Sequence, residues 1–422
     1  MHHFGDHDGA LFAEGVPLAR IAEEAGTPTY VYSSATIERH YRVIEDAFSG
    51  RPLTIAFAMK ACPNIAVVAT LARLGAGVDV VSEGEIRKAL AAGVPASKIV
   101  FSGVGKTPRE LAFAVVAGVG LFNVESEPEL EALSEIAAAQ GAPAAIALRV
   151  NPDVAAGGHA KIQTGKRSDK FGIPWERALE VYDRAKDLPG VEVVGVDSHI
   201  GSQIADLAPL EAATRKLAEL VLELRARGHR ITRVDLGGGL GIPYRDGESA
   251  PPPPGDYARL VRPIIDPLDV EIILEPGRVI VGNAGLLLSR VIYVKEGAAS
   301  RFVVIDAAMN DLMRPALYDA WHEVRPVATP APDASLAPVD IVGPVCESGD
   351  VLARARPFPP VVSGDLVAIM SAGAYGAAQS SEYNDRPRAA EVLVSGDDFA
   401  VIRARRTYEA MMADEQIAPW LK

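Results

Sequence analysis

Cysteine is nearly absent: Cys62 and Cys346 are the only two in 422 residues. That count excludes a disulfide framework and any zinc site built on paired thiolates, and it fits a reducing compartment. Long hydrophobic runs are missing too, so no stretch reads as a bilayer span. Basic residues fall short of acidic ones, 42 against 55, which leaves a formal net charge of -13. This balance argues against a general affinity for nucleic acid or an anionic membrane, and neither is an expected partner. The first residues, Met1-His2-His3-Phe4-Gly5-Asp6, lack the basic and apolar regions of a signal peptide, so the expected location is cytoplasmic. His2, His3 and His7 read as scattered side chains of a solvated arm, and no metal is expected.

What is present is the patterning of a large globular enzyme. With 49% apolar and 23% charged residues the chain can bury a substantial core without staples, and its length points to two domains. From Thr54 to Arg278, β-rich runs alternate with amphipathic helical stretches. Strands are expected at Thr54–Met59, Gly77–Val81, Lys98–Ser102, Gly120–Val124, Ala144–Val150, Val191–Ser198, Arg233–Leu236 and Glu271–Leu274. Helices are expected at Ser34–Phe48, Glu83–Ala92, Pro108–Val116, Glu127–Ala139, Ile173–Asp187 and Leu210–Arg227. Eight such units favour an α/β fold of the TIM (β/α)8 barrel type over residues 30–280, with an open doubly wound sheet as the alternative. The Pro251–Pro254 run reads as a surface loop between the last two of these strands.

Beyond Arg278 the character changes. Leu286–Lys295, Arg301–Asp306, Leu366–Met370, Glu391–Ser395 and Phe399–Thr407 read as strands between Pro- and Gly-rich turns. Residues 281–422 therefore form an expected β-rich C-terminal domain, a barrel or sandwich, on which residues 1–29 pack. The early strand Thr29–Tyr32 is a candidate for pairing there.

Reactive groups of a TIM barrel sit at the carboxyl ends of its strands, so candidate site residues are expected there. The first runs Ala56-Phe57-Ala58-Met59-Lys60, and a lysine there is as a rule a solvated strand terminus. Aimed at the barrel mouth, the same amine can bond covalently to a carbonyl. The sixth ends in His199-Ile200-Gly201-Ser202. His199 fits a satisfied core histidine as well as a ring lying flat on an aromatic cofactor, with Ser202 donating to a phosphate oxygen. The seventh leads into Gly237-Gly238-Gly239, whose backbone can approach an anion closely. It is no dinucleotide fingerprint, because Ile242 and Tyr244 stand where a third glycine belongs. Gly105-Lys106-Thr107 resembles the end of a Walker A loop, but Val100 replaces its first glycine and an NTP site is rejected. The eighth ends in Glu275-Pro276-Gly277-Arg278, either a surface ion pair or a carboxylate for a ring nitrogen beside a clamp for a substrate carboxylate. Together a lysine, a histidine, a glycine-rich anion loop and a glutamate make a coherent pyridoxal phosphate site.

At these residues the sequence resembles the fold-type III pyridoxal phosphate decarboxylases, the group of ornithine, arginine and diaminopimelate decarboxylases. The resemblance runs through Phe57-Ala58-Met59-Lys60-Ala61, His199–Ser202, Gly237–Gly239, Glu275–Arg278 and Gly373-Ala374-Tyr375-Gly376. Three stretches are similar to the diaminopimelate branch: Gly158–Gly172, with Thr164-Gly165 and Lys170-Phe171-Gly172, then Met313–Tyr318, then Cys346–Asp350. The Cys62-Pro63-Asn64 that follows Lys60 departs from the Lys-Ala-Asn of many members, but the lysine aligns without ambiguity.

The resemblance implies a cofactor, pyridoxal 5'-phosphate, bound covalently by Lys60. It gives His199, Ser202, Gly238, Gly239, Glu275, Gly277 and Arg278 to the ring or phosphate, and places Tyr375 at the phosphate–substrate border. An amino-acid substrate would meet Arg278, Arg314, Tyr318, Glu347 and Tyr375. It also implies a homodimer with shared sites, in which Cys346 and Glu347 reach the partner's cofactor and Cys346 returns a proton to the substrate. Taken alone, Cys346 would be a small buried hydrophobe, Arg314 a surface arginine and Tyr318 core packing. Arginine or ornithine decarboxylation on the same scaffold is the nearest rival. A racemase fits less well, because alanine racemases set an arginine at the ring nitrogen. A non-catalytic pyridoxal phosphate carrier resembles the barrel alone and leaves the C-terminal domain unexplained.

Overall fold

A computed structural model describes residues 2–155, 170–245, 250–298 and 300–421. Of the stretch Gly158–Gly172, the Thr164-Gly165 pair lies outside the described residues. The chain divides into two compact units, one of residues 37–243 and 247–282, the other of residues 1–36, 244–246 and 283–422. Among the described residues no helix is long and apolar enough to cross a membrane.

The first unit is a closed barrel. Its strands are Leu53–Ala58, Gly77–Val80, Ile99–Phe101, Leu121–Val124, Ala144–Asn151, Val191–Asp197, Arg233–Asp235 and Glu271–Leu274, each parallel to its neighbours. The pairing of Leu274 with Ile55 links the last strand to the first and leaves no open edge, which excludes the doubly wound alternative. Inside, Ala56, Val100, Leu121, Ala147 and Ile273 form one buried cluster. Small residues beside larger ones fill the narrow lumen, so it is a packed core and not a pore.

The helix between strands five and six starts later than its periodicity implies, at Ala178 rather than Ile173. Ile173 precedes a proline, which disfavours helical backbone, and Ile173–Pro174 instead adds a two-residue strand beside Val150–Asn151. The proline run behaves as a loop only as far as Pro253, because Pro254 opens the helix Pro254–Ile265. A proline is tolerated there because its missing N–H would have no partner in the first turn.

The second unit is a mixed β domain organised on Gly285–Glu296. The first half of that long strand pairs with Thr29–Ser33 on one side and Leu366–Ile369 on the other. After a bulge near Tyr293 its second half pairs with Arg301–Ile305. Thr29–Ser33 is buried throughout and also pairs with Ala390–Ser395, so this early segment is an interior strand. The last strand ends at Arg403, short of Thr407. Phe4–His7 is the first strand of a three-stranded antiparallel meander and not a solvated arm. Its Phe4 joins Leu11, Val16, Ile21, Leu286 and Val392 in one hydrophobic cluster, which holds it down.

Candidate active site

Every barrel strand delivers one polar side chain to the same end. Strand one runs into a single 3-10 turn, Met59–Ala61, which carries Lys60 out of the apolar strand. Its Nζ donates to Oδ2 of Asp79 on strand two at 3.0 Å. Asp79 is fully buried there, whereas the Lys60 side chain keeps 39% of its surface exposed, as a group that must meet a ligand requires. Strand three is followed by Ser102, strand four carries Asn123, and strand five carries Arg149. Strand six ends in Asp197 just before His199, strand seven in Asp235, and strand eight is followed by Glu275.

These groups are bonded to one another. Asn123 Nδ2 donates to Oδ2 of Asp235 at 3.1 Å and to Oε1 of Glu275 at 3.3 Å. Ser102 Oγ donates to the same Glu275 oxygen at 3.3 Å. Arg149 Nη1 donates to Glu125 Oε1 at 2.9 Å, a buried ion pair next to the mouth. The Gly238 N–H donates to His199 Nδ1 at 3.2 Å, which makes that nitrogen an acceptor and the ring neutral, with its proton on Nε2. Burial, with Arg149 and Lys60 nearby, holds the His199 pKa well below the usual imidazole range. A flat, uncharged ring results.

The loops after strands six and seven are stitched together. Ile204 N–H donates to the Gly239 carbonyl at 2.9 Å and Gly241 N–H returns a bond to the Ile204 carbonyl at 3.1 Å. No side chain fits along the glycine triplet. A Cβ on Gly238 would lie 2.2 Å from the Glu275 carbonyl oxygen, and one on Gly239 would lie 2.6 Å from that of Gly201. Gly237 and Gly239 also take φ values of 63° and 117°, which L side chains avoid. Gly277 packs against Ala58 and Ala61, and Arg278 Nη2 donates to Ser202 Oγ at 3.1 Å. The sequence-predicted Lys60, His199, Ser202, Gly238, Gly239, Glu275, Gly277 and Arg278 therefore converge on one end of the barrel.

The sequence reading missed Asp79, Ser102, Asn123, Arg149, Asp197 and Asp235. Asp79, Asn123 and Arg149 had a signal, a lone polar residue near the end of an otherwise apolar run such as Gly77-Val78-Asp79-Val80. Crowding so many buried carboxyls has a physical consequence. Burial and the charge of Glu275 push Asp197 and Asp235 well above the carboxylate range. Burial, then Asp79, raises Glu275 to about 7, and Lys60 and Arg149 only partly oppose the rise. One oxygen of Asp79 and one of Asp197 are buried with no hydrogen-bond partner. A carboxyl layer short of positive charge, above a backbone cradle closed to side chains, fits a ligand with a protonated ring nitrogen and a phosphate.

The other five sequence-predicted residues lie in the second unit. Arg314 and Tyr318 sit one turn apart on the short helix Arg314–Tyr318, and Gln379 Nε2 donates to the Tyr318 hydroxyl at 3.4 Å. Arg314 is buried rather than a surface arginine. Tyr375 has φ 57° in a turn whose next residue, Gly376, lies against the Tyr30 ring. Cys346 is exposed, not a buried hydrophobe, at the tip of a loop it shares with Glu347. Buried Asp350 fixes that loop by accepting from Met309 N–H at 2.7 Å and from Val345 N–H at 2.8 Å.

The barrel and its mouth define a class. The family model described as "Pyridoxal-dependent decarboxylase, pyridoxal binding domain" matches residues 34–282, so the cofactor of this barrel is pyridoxal phosphate. The diaminopimelate decarboxylase of Zymomonas mobilis subsp. mobilis is 49% identical over 425 residues, covering 100% of both chains. That of Pseudomonas aeruginosa is 50% identical over 419 residues, covering 99% of this chain and 100% of the other. Diaminopimelate decarboxylase from M. jannaschii, solved in co-complex with L-lysine, superposes with a TM-score of 0.94 at 39% identity over 100% of both chains. The chain belongs to the diaminopimelate decarboxylase family of pyridoxal-dependent decarboxylases.

The raised Glu275 pKa has a measurable consequence in the apoprotein. The folded value of about 7 lies above the ordinary 4.5, so the group's contribution is complete below 4.5 and is lost as pH rises through about 7. Denaturant unfolding of the apoprotein should show stability falling between about pH 5 and about pH 8, with up to about 3 kcal/mol from this group. Glu275→Gln has nothing to titrate and should flatten that slope. An unchanged slope would assign the strain to the other carboxyls.

Proposed function

We propose that this protein decarboxylates meso-diaminopimelate to L-lysine, the last step of lysine biosynthesis. The observation that carries the reading is end-to-end identity of about half with two diaminopimelate decarboxylases. When bound, the pyridoxal ring supplies an electron sink for the pair left behind as carbon dioxide departs. Lys60, its amine half-exposed at the barrel mouth, would hold the cofactor covalently. Glu275, short of a cation in its buried setting, holds the proton on the ring nitrogen. The neutral ring of His199 would face the cofactor without adding a charge that opposes the sink. Ser202, Gly277, Arg278 and the backbone at Gly238–Gly239 take the phosphate, with Tyr375 at its border.

Arg278, Arg314, Tyr318 and Glu347 orient the substrate, which brings a second amine and carboxylate at its far end. Arg314 and Glu347 match that pair of charges. Ornithine and arginine lack the far carboxylate, which would leave the Arg314 guanidinium without its ligand. Parallel incubation with meso-diaminopimelate, ornithine and arginine should give carbon dioxide and lysine from the first, with little turnover of the others. Faster release of putrescine or agmatine would overturn the assignment.

The same reading makes the active unit a homodimer in a cytoplasmic setting, with Cys346 and Glu347 serving the partner's cofactor. An exposed thiol on a loop braced by Asp350 suits a group presented to another chain. Two-fold symmetry would then have each subunit donate the same loop to the other. Lys60→Ala and Cys346→Ala chains should each be inactive alone. Mixed in equal amounts under subunit exchange, about half the dimers are hybrids with one intact site, so about a quarter of normal activity should return. Exchange without recovery would place Cys346 in its own chain's chemistry or outside it.

A further inference from the structure

Arg314 is held by a histidine that the sequence motifs do not include. Its Nη1 lies 2.7 Å from Nε2 of His322, and the opposite ring nitrogen, Nδ1, lies 2.9 Å from the Met370 carbonyl oxygen. A carbonyl accepts only, so Nδ1 carries the proton, and Nε2 is left as the acceptor for the guanidinium. His322 is therefore neutral, and it orients Arg314 without cancelling its positive charge. Tyr244 completes the mount, its ring 4.5 Å from the guanidinium carbon and edge-on to His322.

The histidine itself is placed rigidly. It is fully buried, and the next residue, Glu323, accepts at its carbonyl from Met370 N–H at 2.8 Å. Val324–Pro326 then pairs antiparallel with Leu366–Ile369, so sheet register fixes the imidazole against Met370. One edge contact and one face contact thus define the plane of the Arg314 guanidinium. A two-pronged bond to a carboxylate requires such a defined plane.

We infer that His322 is a positioning residue for substrate recognition, fixing the Arg314 guanidinium to receive a substrate carboxylate. This rests on the proposed reading in which Arg314 meets the substrate. Two substitutions separate the two ring nitrogens. His322→Asn keeps a donor near Nδ1 for Met370 and removes the acceptor from Arg314. His322→Gln can place an acceptor near Nε2.

The test measures kcat and KM for meso-diaminopimelate in holoenzyme carrying His322→Asn, His322→Gln, Arg314→Ala and the double change His322→Asn with Arg314→Ala. Cofactor absorbance and thermal midpoint are recorded for each. The asparagine variant should stay loaded with cofactor and raise KM about ten- to a hundred-fold, as loss of one hydrogen bond to a charged group does. The glutamine variant should lie closer to wild type. The double variant should be no worse than Arg314→Ala alone, because His322 acts through that residue.

Unchanged KM in the asparagine variant, or additive losses in the double variant, would overturn the inference. If the asparagine variant does not fold, the same cycle with His322→Phe, which fills the ring's space but offers Arg314 no acceptor, decides: non-additivity with Arg314→Ala supports the inference and additivity overturns it. An Arg314→Ala enzyme with normal KM would instead remove the substrate reading of Arg314 and the inference with it.

Discussion

The barrel mouth holds more buried acid than it can ionise. Asp197, Asp235 and Glu275 stand at the ends of three neighbouring strands and Asp79 on the next strand but one, opposed by Lys60 and by an Arg149 already paired to Glu125. Carboxyl groups taken out of water share protons or attract a cation. The upward drift of Glu275 is the visible sign of that shortage. A protonated pyridine ring held there would relieve it. The same shortage would keep a bound ring protonated, the state in which it accepts electrons. The neutral His199 and the backbone at Gly238 add shape to this arrangement without adding charge.

The second unit follows a different logic, in which the side chains proposed to meet the substrate are mounted rather than crowded. Arg314 is braced through a neutral acceptor, Tyr318 through Gln379, and the loop bearing Cys346 and Glu347 through Asp350. The His322 brace is itself fixed by sheet register beside Met370. A binding group held this way loses little freedom when a substrate arrives, so more of its interaction energy is left for orientation.

Much of the barrel was legible in the sequence because its strands are short apolar runs between amphipathic helices. Glu271–Leu274 was read to the residue, and Thr54–Met59 lay within one residue of the strand observed. Closure was not legible, because the bond between the first strand and the last is a long-range fact with no local pattern. Ile173–Pro174 misled because helical periodicity continued across a proline that ends it. In the second unit Ala337–Val342 and Val351–Phe358 went unread, since Pro338 and Pro357 face each other across that pair and mask its β character. The site was legible where a motif advertised it, as at Lys60 and Gly237–Gly239. At Asn123 and Arg149 the only signal was one polar residue inside an apolar run, which acquires meaning only once eight strand ends meet.

Covalent attachment of pyridoxal phosphate at Lys60 is the claim on which the rest stands, and trapping tests it most directly. Protein loaded with the cofactor is reduced with borohydride, digested, and its peptides are mapped by mass. The account predicts one modified peptide, the one containing Lys60, with the adduct on its Nζ. An adduct on any other lysine, or none in a protein that still turns over substrate, would contradict it.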